Sequence, residues 1–140
     1  MNRIQLNIPS DLLFERVVRA SAAELGSTMG FSAERIEDLK LAVSEAVTNA
    51  IEHGGGGSAA SVEVVFELDQ EKLEIEIIDR GPGVSSFNTE RRVVDEEHLD
   101  AGMLRGFGMY LISELVDQYE VQSSNQGTRL TLRIFRPNPA

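Results

Sequence analysis

Along this chain the apolar positions switch between alternation and a helical repeat, and each switch marks an element boundary. Ile4, Leu6 and Ile8 alternate with polar residues and predict a first strand. Pro9, Ser10 and Asp11 then supply helix-start chemistry for a segment running to about Leu25, and Gly26 to Phe31 predicts a turn. From 34 to 53 the apolar set Ile36, Leu39, Val43, Ala46, Val47 and Ala50 gathers on one side of a second helix. Ser32 caps it, with Arg35 where a capping box would place Glu, and the run Gly54 to Gly57 stops it. Val62, Val64, Phe66 and Leu68 share one face of a strand, Asp69 to Glu71 turn the chain, and Leu73, Ile75 and Ile77 share one face of the next. Met109, Leu111, Ile112, Leu115 and Val116 predict a short amphipathic helix. Tyr119 to Ser123 and Thr128 to Phe135 then make a last hairpin across Asn125, Gln126 and Gly127.

Five strands and three helices result, with hairpins at adjacent positions and helices in separate blocks. That order predicts an α+β fold, a two-layer α/β sandwich in which helices lie on one face of a mixed, mostly antiparallel five-stranded sheet. Neither a repeat nor a linker divides residues 1–140, so one domain is expected. Residues 84–105 are polar, acidic at Asp95, Glu96 and Glu97, and weakly periodic; an insertion of that length in a compact domain predicts a mobile lid.

Composition narrows the function classes. A net charge of −10 argues against unaided nucleic-acid binding, which needs clustered Lys and Arg, and favours a cationic protein partner or none. Neither Lys40 nor Lys72 follows a glycine, so the Gly-Lys-Ser/Thr phosphate loop is missing and any phosphate must be held another way. Without cysteine, disulfides, thiolate nucleophiles and zinc-cysteine sites are excluded. The first residues lack the apolar core of a signal peptide and no stretch is long and apolar enough to span a bilayer, so a cytoplasmic location away from the membrane is expected.

Three boxes carry candidate chemistry. Glu45, Asn49 and His53 stand at successive i, i+4 positions of the second helix, with Glu45 and Asn49 about 40° apart on the side away from its apolar face. Such polar residues are commonly just solvated. An Asn amide oxygen is nevertheless a suitable hard ligand for Mg²⁺, and a carboxylate one turn earlier can orient a water or hydroxyl for attack. His53, at the helix end, suits the negative end of the dipole better than catalysis. Asp79 follows Leu73, Ile75 and Ile77 in phase and should point to the buried face, where a carboxylate needs a donor such as the exocyclic amine of adenine. Gly81 and Gly83 after it would allow backbone to approach a ring closely, although Asp79-Arg80-Gly81-Pro82-Gly83 also suits a plain turn. Gly106-Phe107-Gly108 stands immediately before the third predicted helix, where free N–H groups and the dipole could cradle phosphates, with Arg105 beside it as a forked cation.

In this order, on a helix, a strand end and a glycine-led helix, the boxes resemble the N, G1 and G2 boxes of the GHKL ATPases, which bind ATP in the Bergerat fold. Within that superfamily the chain is most similar to the small bacterial anti-sigma-factor serine/threonine kinases, over nearly its whole length. Ser44-Glu-Ala-Val-Thr-Asn-Ala-Ile51 followed by His53-Gly54 is the most specific part. The resemblance implies Glu45 as catalytic base, Asn49 as Mg²⁺ ligand, Asp79 as adenine reader, and Gly81 and Gly83 lining the base. It also implies Gly106 and Gly108 on phosphates, with Thr128 holding the adenine through hydroxyl and water contacts. Arg16, in the first helix, falls where such kinases dock their antagonist. The expected function is an ATP- and Mg²⁺-dependent kinase that phosphorylates an anti-anti-sigma partner, sequesters a sigma factor and forms a homodimer. Residues 84–105 lack a Thr-Thr-Lys-like stretch and offer Arg91, Arg92 and Arg105 for the γ-phosphate instead. The rival readings are a nucleotide-gated binding module without useful kinase activity and a detached histidine-kinase catalytic domain. The second is disfavoured because neither His53 nor His98 sits in an acceptor-like helix.

Overall fold

The computed structural model describes residues 2–53, 60–80 and 101–137, and for residue 53 and residues 101–107 the backbone alone. In chain order it contains β1 (Asn2–Pro9), a 3-10 turn at Leu12–Phe14, α1 (Glu15–Thr28), α2 (Ala33–His53) and β2 (Ser61–Leu68). There follow β3 (Lys72–Asp79), α3 (Ala101–Leu115), β4 (Gln118–Ser124) and β5 (Gly127–Phe135).

The strands form one sheet in the order β1-β2-β3-β5-β4, and all four pairings are antiparallel. Alternation of side chains turns this register into rows. On the inner face, Ile4, Phe66, Ile75, Leu132 and Tyr119 make one row, and Leu6, Val64, Ile77, Leu130 and Val121 the next. The inner rows join Val18 and Ala22 of α1, Leu39, Val43, Ala46 and Val47 of α2, and Met109 and Ile112 of α3 in one core. Burying each Val, Leu or Ile contributes about 1.5–3 kcal/mol, so the apolar period fixes which face the helices cover. The opposite face is ionic: Arg133 donates to Glu74 at 2.7 Å and to Glu120 at 2.6 Å.

The last inner row departs from this pattern. Ile8 and Val62 are followed across the sheet by Asp79, Thr128 and Ser123. The apolar face thus ends in a carboxylate and two hydroxyls on three adjacent strands.

Two boundaries differ from the sequence expectation. The first helix continues through Gly26 to Thr28, because the residue that takes the left-handed conformation is Gly30, at φ +85°. Phe31 N–H donates to the Gly26 carbonyl and Gly30 N–H to that of Ser27, the paired bonds that close a helix at a left-handed glycine. Gly26 is instead a packing position, where a Cβ would sit 3.1 Å from Leu39 Cδ2. The third helix starts at Ala101, eight residues before Met109, since Ala101, Met103, Leu104 and Arg105 are good helix formers that outweigh the two glycines after them. The caps at Asp11, accepting from Leu13 N–H at 2.9 Å, and Ser32, accepting from Arg35 N–H at 3.1 Å, stand where the sequence places them.

Candidate active site

The polar row at the sheet end makes one half of the site. Asp79 is 8% exposed, because the strand period that buries Leu73, Ile75 and Ile77 carries it to the same face. Thr128, its register partner on β5, is buried too, and the Thr128 and Ser123 hydroxyls lie 3.1 Å apart. Asp79, Thr128 and Ser123 line a cleft of about 390 Å³ together with Gln126, Gly127 and Arg129. Gly127 starts β5 at φ +142°, and a Cβ there would fall 2.2 Å from the Asp79 carbonyl oxygen. Only glycine lets β5 close on β3 at the level of Asp79.

The other half stands on α2, which packs across β2, β3 and β5. Asn49 is 6% exposed, and its Nδ2 has no hydrogen-bond partner among the described residues. A buried amide donor left without a partner costs about 1–3 kcal/mol, which a ligand oxygen would relieve. Glu45, one turn earlier, is half-buried; burial raises its pKa above the ordinary carboxylate range, and the Glu52 carboxylate adds to the rise. Both side chains meet α3 at Gly108. A Cβ on Gly108 would lie 2.7 Å from Glu45 Oε2 and 3.3 Å from Asn49 Nδ2. The glycine is the space into which the carboxylate and amide fit. A carboxylate made more basic by burial, beside a buried amide, suits proton abstraction next to a bound anion.

The family description that matches residues 8–134 is the histidine kinase-like ATPase domain. The chain belongs to this family. Among curated proteins it is 32% identical over 140 residues to serine-protein kinase RsbW of Bacillus cereus, covering 96% of this chain and 86% of that one. It is 34% identical over 141 residues to serine-protein kinase RsbW of Bacillus pumilus, covering 94% and 85%. Among solved structures it resembles the RsbU and RsbW domains of a Mycobacterium tuberculosis protein, with a TM-score of 0.70 and 22% identity over 98% of this chain and 34% of that one. The histidine kinase domain of a blue-light activated histidine kinase from Erythrobacter litoralis follows, with a TM-score of 0.53 and 18% identity over 91% of this chain and 61% of that one. Those two likenesses concern the fold.

As a histidine kinase-like ATPase domain, the chain brings Glu45, Asn49 and Gly108 into contact and pairs Asp79 with Thr128. Gly106 and Gly108 lie inside α3 rather than ahead of it, so in this helix their N–H groups point to carbonyls one turn back rather than outward. Gly81, Gly83, Arg91, Arg92, His98 and residues 84–100 of the expected 84–105 lid fall outside the described residues, as do the side chains of Arg105 and His53, and residues 101–105 belong to α3. Arg16 is exposed on α1, beside Leu12, Leu13 and Val17, which are 50%, 62% and 45% exposed. Ser123 and the part played by Gly127 stand among the site features that only the structure brings out. A signal for Ser123 existed: it stands in phase with Tyr119 and Val121, where a further apolar residue would be expected.

Proposed function

We propose that the chain is an ATP-dependent serine/threonine-protein kinase that phosphorylates an anti-anti-sigma protein and, with nucleotide bound, sequesters a sigma factor. One observation carries the reading: Glu45, made more basic by burial, and the buried Asn49 share a contact on Gly108, on a helix packed across the strands that hold Asp79 and Thr128. The naming of the curated relatives as serine-protein kinases supports it.

In this mechanism the adenine enters the cleft, where Asp79 accepts from its exocyclic amine and Thr128 holds the ring edge. Glu45 accepts the proton of the incoming serine hydroxyl. The serine oxygen bonds to the γ-phosphorus as the bond to the bridging oxygen breaks, and ADP leaves. Phosphoryl transfer asks mostly for positioning and charge neutralisation, so a general base contributes about 10²- to 10⁴-fold. The donor set fits Mg²⁺: Asn49 offers a hard amide oxygen, and such an ion needs few protein ligands besides phosphate oxygens. When bound, Mg²⁺ would neutralise phosphate charge. Gly81, Gly83 and Arg105 belong to the proposed nucleotide-binding set, with 84–105 as the lid.

The partner site is proposed at Arg16, because the exposed apolar residues Leu12, Leu13 and Val17 surround it. A homodimer and a cytoplasmic location complete the proposal; among the described residues no helix is long and apolar enough to cross a membrane.

The test is transfer of radiolabel from ATP to an anti-anti-sigma protein by the native chain and by Glu45→Gln. Loss of transfer with ATP affinity retained supports the assignment. Transfer that survives the substitution removes Glu45 from the role of base. A native chain that binds ATP and transfers nothing leaves the nucleotide-gated binding module as the function.

A further inference from the structure

We infer that Ser123 is a positioning residue for base recognition, acting through Thr128; this deepens the proposed function and rests on its nucleotide site. Ser123 is the β4 member of the row that carries Asp79 and Thr128, its hydroxyl lies 3.1 Å from that of Thr128, and both line the same cleft.

Donor supply at the ring edge ties Ser123 to the base. An ionised Asp79 only accepts hydrogen bonds, so it serves the exocyclic amine of adenine and nothing else on the ring edge. The neighbouring ring nitrogen N1 is an acceptor and needs a donor. Thr128 has one hydroxyl proton and two acceptor sites. If that proton goes to Ser123, none is left for the ring. With Ser123 as donor, the Thr128 oxygen accepts, and its own proton turns toward the base, directly or through one water. Ser123 thereby sets the polarity of the pair: acceptor at Asp79, donor at Thr128. Adenine presents the complementary donor-acceptor order along this edge, whereas guanine presents an oxygen and an N–H in the reverse order. A hydrophobic residue at the β4 position would leave the Thr128 hydroxyl free to rotate and the ring nitrogen served only part of the time.

The experiment compares calorimetric affinities for ATP and for 1-deaza-ATP, in which C–H replaces the ring N1. It uses the full chain and its Ser123→Ala and Ser123→Thr variants. One neutral hydrogen bond corresponds to about 2- to 10-fold in affinity, so the native chain should prefer ATP by that factor. In Ser123→Ala the preference should fall toward unity, chiefly through weaker ATP binding with 1-deaza-ATP little changed. Ser123→Thr, which keeps the hydroxyl, should restore it. A Ser123→Ala chain that keeps the native preference overturns the inference, as does equal loss of both nucleotides, which marks a structural role. Absence of any preference in a native chain that binds ATP overturns it while leaving the nucleotide site standing. A native chain that binds neither nucleotide removes the nucleotide reading itself.

Discussion

Replacing Gly108 by Ala separates stability from activity more cleanly than any other single change. The new Cβ would stand 2.7 Å from Glu45 Oε2 and 3.3 Å from Glu45 Cδ and Asn49 Nδ2. Relaxed contact with a carbon lies near about 3.5 Å, so the carboxylate oxygen must withdraw by roughly 0.8 Å. The obstructing atom is the tip of a flexible side chain, and leaving its rotamer well costs about 0.5–1.5 kcal/mol. Against this, Ala is favoured over Gly in a helix interior by about 1 kcal/mol. The two nearly cancel, so stability in urea should change by less than about 1 kcal/mol. Activity should not be spared: displacing a reacting group by about 1 Å costs on the order of 10²-fold. Single-turnover transfer of radiolabel, with ATP affinity measured in parallel by calorimetry, reads the two effects apart. The expected outcome is a folded chain that binds ATP and transfers phosphate about 100-fold more slowly. Native transfer rates would refute the contact as a catalytic constraint. A loss of ATP affinity as large as the loss of rate would assign Gly108 to the phosphates instead.

Asp79→Asn exchanges an acceptor-only group for one that also donates; losing a charge-assisted bond to the adenine amine should weaken ATP binding by about 10- to 100-fold, and unchanged calorimetric affinity would move the base elsewhere. Because burial and the Glu52 carboxylate raise the Glu45 pKa, transfer should rise with pH through a midpoint above the ordinary carboxylate range, and Glu52→Gln should shift that midpoint down. The stability sign follows from the same shift. A raised folded pKa means that the native state holds the proton more tightly, so Glu45 contributes stability below its unfolded pKa that is lost as pH rises through the folded one. Denaturation midpoints against pH should show that loss in the native chain and not in Glu45→Gln. Gly127→Ala places a Cβ 2.2 Å from the Asp79 carbonyl oxygen at φ +142°, a backbone clash that should cost about 3 kcal/mol or more, and a thermal midpoint within a degree of native would exclude it.

Much of this protein is written in its sequence because two periods suffice to place most side chains. Alternation at 62–68 and 73–79 names the inner face of β2 and β3, and with it the burial of Asp79, since hydrophobic burial fixes the face and strand geometry then carries every second residue with it. The helical repeat likewise names the core side of α2 and leaves Glu45 and Asn49 opposite. What lies over that opposite side is not a local property. Asn49 is buried and Glu45 half-buried where α3, more than fifty residues later, crosses them at Gly108; burial is the larger cause of the raised carboxylate pKa, with Glu52 on the same helix adding to it, and the crossing makes Gly108 a matter of space. Sheet order was equally out of reach, because hairpins predict which strands are neighbours in sequence but not that β5 inserts between β3 and β4. That insertion puts Thr128 between Asp79 and Ser123, so three residues of ordinary strand chemistry become one recognition row. The periods along the chain determined which residues face inward; the tertiary pairing alone decided which of them meet, because contacts between distant segments depend on how the layers close.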